Sequence, residues 1–207
     1  MKSINNVKNI LEIGGGNGEL TKFIADKLDV EEIVCIDSNK ELTEKSTKSN
    51  RDARVMYEHI NAFSYCPSYS FDLVISLHGC GSLTDRVIDI GVGSNIRNII
   101  CVPCCYSKIN NEKLSLPRSH TLKSKKGDYE KIINLVSKYE GSVKESDDGI
   151  RSIMRDSYRL LLNFDRLFYL QENGYDVQVI PICERKLTFS SHKSLNNSMR
   201  FAIMGMK

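Results

Sequence analysis

Short runs of consecutive apolar residues alternate along this chain with segments whose apolar residues recur every three or four positions. The first pattern is typical of buried parallel strands, and the second is typical of amphipathic helices. This alternation favours an α/β fold with a seven-stranded, mostly parallel sheet flanked by helices. Strands are predicted at residues 8–13, 32–37, 54–60, 71–78, 98–103, 176–183 and 199–206. Helices are predicted at residues 19–28, 83–90, 129–139 and 150–172.

Length and composition indicate the number of domains, the absence of a membrane span and the redox environment of the protein. A length of 207 residues predicts one domain over 1–207, and 41% hydrophobic residues can supply its core. No apolar run approaches the roughly 20 residues of a membrane span, and residues 1–9 lack the apolar region of a secretory signal. Seven cysteines, an odd number, indicate a reducing compartment. We therefore expect no membrane partner and a cytoplasmic location, with the nucleus as an alternative.

Positive charge is concentrated in one segment, at residues 108–126. The whole chain carries a net charge of +3, which permits a nucleic-acid partner without requiring one. The segment is predicted to be an exposed loop inserted after the fifth strand. It is either a solvated loop or a contact surface for a polyanion such as RNA. Its basic residues are Lys108, Lys113, Arg118, Lys123, Lys125 and Lys126, against the single acidic residue Glu112.

A glycine-rich turn follows the first predicted strand and precedes a helix, where a backbone can approach a ligand closely. The pattern G-x-G-x-x-G of dinucleotide-binding proteins fails at its last position, which is Glu19. The pattern that is present is an acidic residue followed by closely spaced glycines. Its members are Glu12, Gly14, Gly15, Gly16 and Gly18.

Two later positions extend this pattern. Asp37 ends the second predicted strand, where a carboxylate can accept hydrogen bonds from both ribose hydroxyls of a nucleoside. Asn61 and Ala62 follow the third strand. Occurring in this order, the glycine turn, Asp37 and Asn61-Ala62 favour a nucleoside cofactor. The alternatives are a nucleotide ligand of another kind and a glycine turn with a purely structural role.

Histidine, cysteine and tyrosine follow the fourth and fifth strands. The fourth ends in Leu77-His78-Gly79-Cys80-Gly81-Ser82-Leu83-Thr84-Asp85, and the fifth ends in Pro103-Cys104-Cys105-Tyr106. Because ligands of open α/β sheets bind at the carboxyl ends of strands, these side chains are expected to converge.

Together these motifs resemble class I S-adenosylmethionine-dependent methyltransferases, which implies a Rossmann-like fold and S-adenosyl-L-methionine as cofactor. The "H-x-C-G-x-x-T-D" and "C-C-H/Y" motifs, with the helix end at 166–175, resemble a subgroup of them. That subgroup contains eukaryotic tRNA acceptor-stem 2′-O-methyltransferases, methyltransferase-like proteins and the methyltransferase half of the glutathione S-transferase C-terminal-domain-containing protein. The resemblance covers nearly the whole chain and implies RNA modification, with tRNA as substrate.

The resemblance also implies roles for the cofactor-binding positions. Glu12 and the glycines would hold the methionine end of the cofactor, and Asp37 would bind the ribose. Asn61 and Ala62 would contact the adenine, and Leu77 and His78 would line the sulfonium side.

The catalytic candidates are His78, Tyr106, Cys80 and Cys105. His78 either serves the acceptor as a base or hydrogen-bonding group, or only orients its loop. Tyr106 either stacks on a substrate base or caps the sheet. The cysteines are unliganded thiols near the pocket, groups that position substrate, or zinc ligands. No metal is predicted, because the spacing Cys101-x-x-Cys104-Cys105 lacks a second C-x-x-C.

Three functions therefore compete. The first is methylation of RNA, and the second is methylation of a protein or small molecule. The third is a subunit or scaffold that binds S-adenosylmethionine without transferring its methyl group, for which a protein partner is expected.

Overall fold

The computed structural model describes residues 6–106, 109, 117–139, 149–181 and 201–207. The predicted seven-stranded α/β fold is confirmed, and the predicted bounds agree within about three residues where they can be compared. The strands are β1 (Asn9–Ile13), β2 (Glu32–Asp37), β3 (Val55–His59), β4 (Leu73–Cys80), β5 (Asn98–Cys104), β6 (Asp176–Pro181) and β7 (Phe201–Met206). Among the described helices, none has the length and apolar character needed to cross a membrane.

The sheet has the order β3-β2-β1-β4-β5-β7-β6. Strands β1 to β5 run parallel, whereas β7 pairs antiparallel with both β5 and β6. The ends of β1 to β4 that carry Gly14, Asp37, Asn61 and His78 therefore lie along one edge. This arrangement gathers loops that are far apart in sequence into one site.

The described part of the chain contains six helices. They are α1 (Glu19–Lys27), α2 (Lys40–Ser49), α3 (Leu83–Gly93), α4 (His120–Lys123), α5 (Lys126–Ser137) and α6 (Gly149–Glu172). Apolar periodicity did not predict α2, because the two residues that it buries are Thr43 and Ser46. Its start is fixed instead by Asn39, whose side chain accepts a hydrogen bond from the Leu42 amide at 3.1 Å.

Apolar residues on the two faces of the sheet form separate core clusters. Successive side chains of a strand point to opposite faces, so Ile10 packs in one cluster and Leu11 in the other, both fully buried. A third cluster lies between α5 and α6 and contains Tyr106, Val136 and Leu162. The two sheet-face clusters hold the strand ends, and hence the loops of the site, in fixed positions.

Candidate active site

The turn between β1 and α1 contacts the end of β2 through its backbone. The Gly14 amide donates to the Ile36 carbonyl at 2.8 Å, and the Gly16 amide donates to Asp37 Oδ2 at 2.8 Å. The structure thus brings together the predicted glycine turn and the predicted ribose-binding carboxylate.

The conformation of this turn explains its glycines. Gly14, Gly16 and Gly18 have φ values of +75°, +56° and +71°, a region that disfavours residues with a Cβ. Gly15 is required for a different reason: a Cβ there would overlap the Sγ of Cys35. The turn is therefore closely packed against Cys35, while Gly14, Gly15 and Gly16 remain partly exposed to solvent.

Glu12 is the buried carboxylate beneath the turn, with 2% of its surface exposed. Its Oε2 accepts a hydrogen bond from the hydroxyl of Thr21, a residue of α1 that sequence reasoning did not single out. Burial raises the pKa of Glu12, although the Thr21 hydrogen bond opposes the shift. A buried anion of this kind is suited to a cationic group of a ligand.

Asp37 and the turn after β3 form the next part of the site. Asp37 Oδ1 accepts from the Asn39 amide at 2.7 Å, and the Asp37 carbonyl accepts from the Ile60 amide at 3.0 Å. Asn61 is exposed and Ala62 is buried. Arg86 of α3 fixes this turn, because its Nε donates to the Ala62 carbonyl at 2.8 Å. Arg86 is a positioning residue that the sequence analysis missed.

His78 occupies an irregularity in the sheet. The pairing of β4 with β5 shifts register between Leu77 and Gly79, and His78 has a φ of +63°. Such a conformation is unusual for a residue other than glycine and is found at functional sites. Both Leu77 and His78 are exposed at this edge, as their predicted roles require.

Three cysteines meet at the ends of β4 and β5. Cys80 and Cys104 pair across the strands, with their Sγ atoms 2.9 Å apart. The Sγ of Cys105 joins them, and the three sulfur atoms all lie within 4.8 Å of one another. Burial and the two neighbouring thiols raise the pKa of Cys104. Cys101 is not part of this group, because it is completely buried in the core.

The structure corrects the acceptor-stacking role predicted for Tyr106. Its residue surface is 8% exposed, and its ring packs against Val136 and Leu162. Its hydroxyl accepts a hydrogen bond from Asn163 Nδ2 at 2.8 Å. Too little of the ring is free for a base to stack on it, so the structural alternative fits better.

Part of the predicted basic loop is ordered and packed. Residues 120–123 form α4, and Ser119 is fully buried. Arg118 is not exposed as predicted, because its guanidinium pairs with Asp85 at 3.1 Å and also with Asp89. Its charge is therefore satisfied inside the protein. Lys123, Lys125 and Lys126 are exposed, whereas Lys108 and Lys113 lie outside the described residues.

Asp85 and Arg166 form a buried ion pair beside the site, whose role sequence reasoning did not assign. Arg166 Nε and Nη2 donate to the two carboxylate oxygens of Asp85 at 3.0 and 2.8 Å. Burial alone would raise the pKa of Asp85, but Arg166 and Arg118 outweigh it and the pKa lies below its ordinary value. Arg166 also approaches the Gly81 carbonyl at 3.4 Å, so α6 supports the turn that follows Cys80.

Comparison with known proteins agrees with this geometry. The chain is 26% identical over 178 residues to the human glutathione S-transferase C-terminal domain-containing protein, covering 84% of this chain. It spans about a quarter of that relative's length, 27%. Among solved structures, it resembles an S-adenosylmethionine-dependent methyltransferase from Mesorhizobium loti, with 12% identity and a TM-score of 0.58. That likeness covers 100% of this chain and 94% of the other.

A second solved structure is the plantazolicin methyltransferase BpumL in complex with SAH, with 14% identity and a TM-score of 0.52. The likeness covers 97% of this chain and 76% of that one. At these identities both structures support the fold alone. A family model described as a methyltransferase domain matches residues 1–112, which is more than half of the 207 residues. The match includes the glycine turn and Cys80, Cys104 and Cys105. The chain therefore belongs to this family of methyltransferase domains.

Proposed function

We propose that the chain transfers a methyl group from S-adenosyl-L-methionine to RNA, with tRNA as the substrate class. The observation that supports binding of S-adenosyl-L-methionine is the glycine turn, which lies between two carboxylates, Glu12 beneath it and Asp37 beside it. The assignment of RNA as the methyl acceptor rests on the motif resemblance and on exposed lysines near the site.

The residues present fit this cofactor. Glu12 would attract its ammonium group, the turn at 14–18 would accommodate its methionine part, and Asp37 would accept hydrogen bonds from its ribose. Asn61 and Ala62 would flank its adenine. S-adenosylmethionine, when bound, supplies a methyl group that is already activated by a sulfonium. What the protein must add is alignment of the acceptor and removal of its proton where the acceptor carries one.

His78 is the group we assign to the acceptor. It is exposed at the carboxyl edge, and the left-handed backbone at this position projects it from the regular strand. A neutral imidazole could accept a proton from a ribose hydroxyl during transfer. Cys80 and Cys105 lie on the same edge and would shape the acceptor pocket.

Lys123, Lys125 and Lys126 are the described residues that support an RNA partner. All three are exposed around the end of α4 and the start of α5. This segment is anchored near the site, because the neighbouring Arg118 pairs with Asp85 of α3. RNA bound by these lysines would therefore lie on the side of the molecule that includes the β4–α3 turn.

Transfer of labelled methyl groups into a cell extract tests the proposal. The purified chain is incubated with the extract and methyl-labelled S-adenosylmethionine, and separate portions are then digested with RNase or protease. RNase-sensitive label is expected. Protease-sensitive label, or label in a small-molecule fraction, would overturn the RNA assignment. Saturable cofactor binding without any transfer would favour the scaffold alternative.

Replacing Lys123, Lys125 and Lys126 by glutamate is expected to weaken RNA binding while leaving cofactor affinity unchanged. Each phosphate contact contributes about 0.7–0.9 to the slope of log affinity against log salt, so the slope should fall by about 2–3. The measurement is RNA affinity at several salt concentrations. The matched control replaces the exposed lysines Lys22, Lys45 and Lys48 by glutamate, which makes the same change of charge elsewhere. Equal losses of RNA affinity in the two triple variants would contradict a specific RNA-binding surface at Lys123, Lys125 and Lys126.

A further inference from the structure

The thiols of Cys80, Cys104 and Cys105 converge although they come from two different strands. Their sulfur atoms are 2.9 Å apart for Cys80 and Cys104, and all three lie within 4.8 Å of one another. Zinc binds thiolates at about 2.3 Å, which places two sulfurs of a tetrahedral site roughly 3.8 Å apart. The observed range brackets that separation, so small side-chain rotations would place all three around one ion.

The backbone fixes this convergence. Cys80 and Cys104 are direct partners in the β4–β5 pairing, and the Gly81 amide donates to the Cys104 carbonyl at 3.3 Å. Cys105 follows with a φ of +47°, a conformation that is unfavourable for a residue with a side chain. This turn directs a third thiol back to the other two instead of continuing the strand.

We infer that Cys80, Cys104 and Cys105 form a three-thiolate binding site for a zinc ion. Thiolates are the ligands that soft and borderline metals such as zinc prefer. The N-terminus of α3 begins three residues after Cys80, and its positive end favours negative charge on the sulfur atoms.

The site has one coordination position left for solvent or another ligand. Among the described residues, the group of potential ligands contains these three cysteines and no histidine or carboxylate. Cys105 is exposed, so this side is accessible to solvent. Three protein ligands with an open fourth position are typical of zinc sites that bind an exchangeable ligand. Metal binding by these three thiols is independent of which molecule accepts the methyl group.

The test is cobalt and zinc binding to the full chain after reduction and removal of metal by a chelator. Cobalt is expected to bind with one equivalent at this site and to show thiolate-to-metal charge transfer together with the visible bands of tetrahedral cobalt. Zinc should displace it. Loss of a residue that only hydrogen-bonds to a metal ligand costs about 10–100-fold in affinity. Cys105→Ser removes a ligand itself and should therefore weaken binding by more than about 100-fold.

Three further measurements make the result specific. Cys66→Ser removes an exposed thiol outside the cluster and should leave metal binding unchanged. Circular dichroism of Cys105→Ser separates loss of a ligand from loss of the fold, and Cys80→Ser provides a second ligand variant. Absence of thiolate charge transfer in the unmodified chain would overturn the inference. An equal loss of metal affinity in Cys66→Ser would also overturn it. Formation of a Cys80–Cys104 disulfide in place of metal binding would do the same.

Discussion

Replacing Arg166 by methionine is expected to lower the free energy of unfolding by about 3–5 kcal/mol, because it leaves the buried Asp85 without its main partner. The two side chains lie in the interior, with Arg166 2% and Asp85 4% exposed. Their two hydrogen bonds, at 2.8 and 3.0 Å, form a bidentate pair. For a domain of this size the melting temperature should fall by roughly 6–20 °C.

Urea unfolding of the variant tests this prediction against two comparisons. Arg97→Met makes the same change at an exposed arginine, where the effect should be within about 0.5 kcal/mol. Adding Asp85→Asn to Arg166→Met removes the uncompensated charge, so the double variant should lose less stability than the sum of the single variants. A loss in Arg166→Met no larger than in Arg97→Met would contradict the importance of the pair.

The pKa of Asp85 predicts how this effect depends on pH. Because its pKa is lower in the folded than in the unfolded state, its contribution to stability is complete above the unfolded pKa. It is lost as the pH falls through the folded pKa. In Arg166→Met the pKa of Asp85 should rise, so protonation at mildly acidic pH relieves the unpaired charge. The stability difference between the two proteins should therefore narrow as the pH falls.

The strands were predictable from sequence because parallel strands buried on both faces have continuous apolar runs. The run from Ile33 to Ile36 is buried throughout, and β2 was predicted with its observed bounds. Helix α2 was not predictable in the same way, because its buried residues Thr43 and Ser46 are polar. Its capping residue, Asn39, was the available signal. A search for caps as well as for apolar periodicity would have found this helix.

The site was predictable where its residues are neighbours in sequence or lie at the ends of adjacent parallel strands. The glycine turn is such a case, since its conformation is encoded by adjacent residues. Arg118 is the opposite case, because its partner Asp85 lies 33 positions away and charge counting does not show pairing. The cysteines are a long-range case that was predictable: Cys80 and Cys104 are 24 positions apart, but both lie at the carboxyl ends of neighbouring parallel strands, which brings them together.

Glu12→Gln is expected to weaken S-adenosylmethionine binding by about 10–150-fold, which corresponds to roughly 1.5–3 kcal/mol for a lost hydrogen bond to a charged group. The unliganded protein should become more stable at neutral pH, not less. Burial raises the pKa of Glu12, so stability decreases as the pH rises through the folded pKa and the carboxyl ionises. Glutamine cannot ionise and can still accept the Thr21 hydrogen bond, so the gain should shrink as the pH falls through the folded pKa and vanish below the unfolded pKa.

Titration calorimetry with three ligands identifies the part of the cofactor that Glu12 binds. S-adenosylhomocysteine carries the same amino group as S-adenosylmethionine and should lose affinity equally in Glu12→Gln. Methylthioadenosine lacks the amino acid part and should be unaffected. Asp37→Asn is the matched comparison, because its side chain is placed to bind the ribose and should affect all three ligands. If Glu12→Gln kept full cofactor affinity and lost stability, the role of Glu12 would be to support the glycine turn. The two are closely packed, because a Cβ added at Gly15 would lie 3.0 Å from the Glu12 carboxylate. A specific loss for the two ligands with an amino group would instead identify Glu12 as the anion that binds the ammonium.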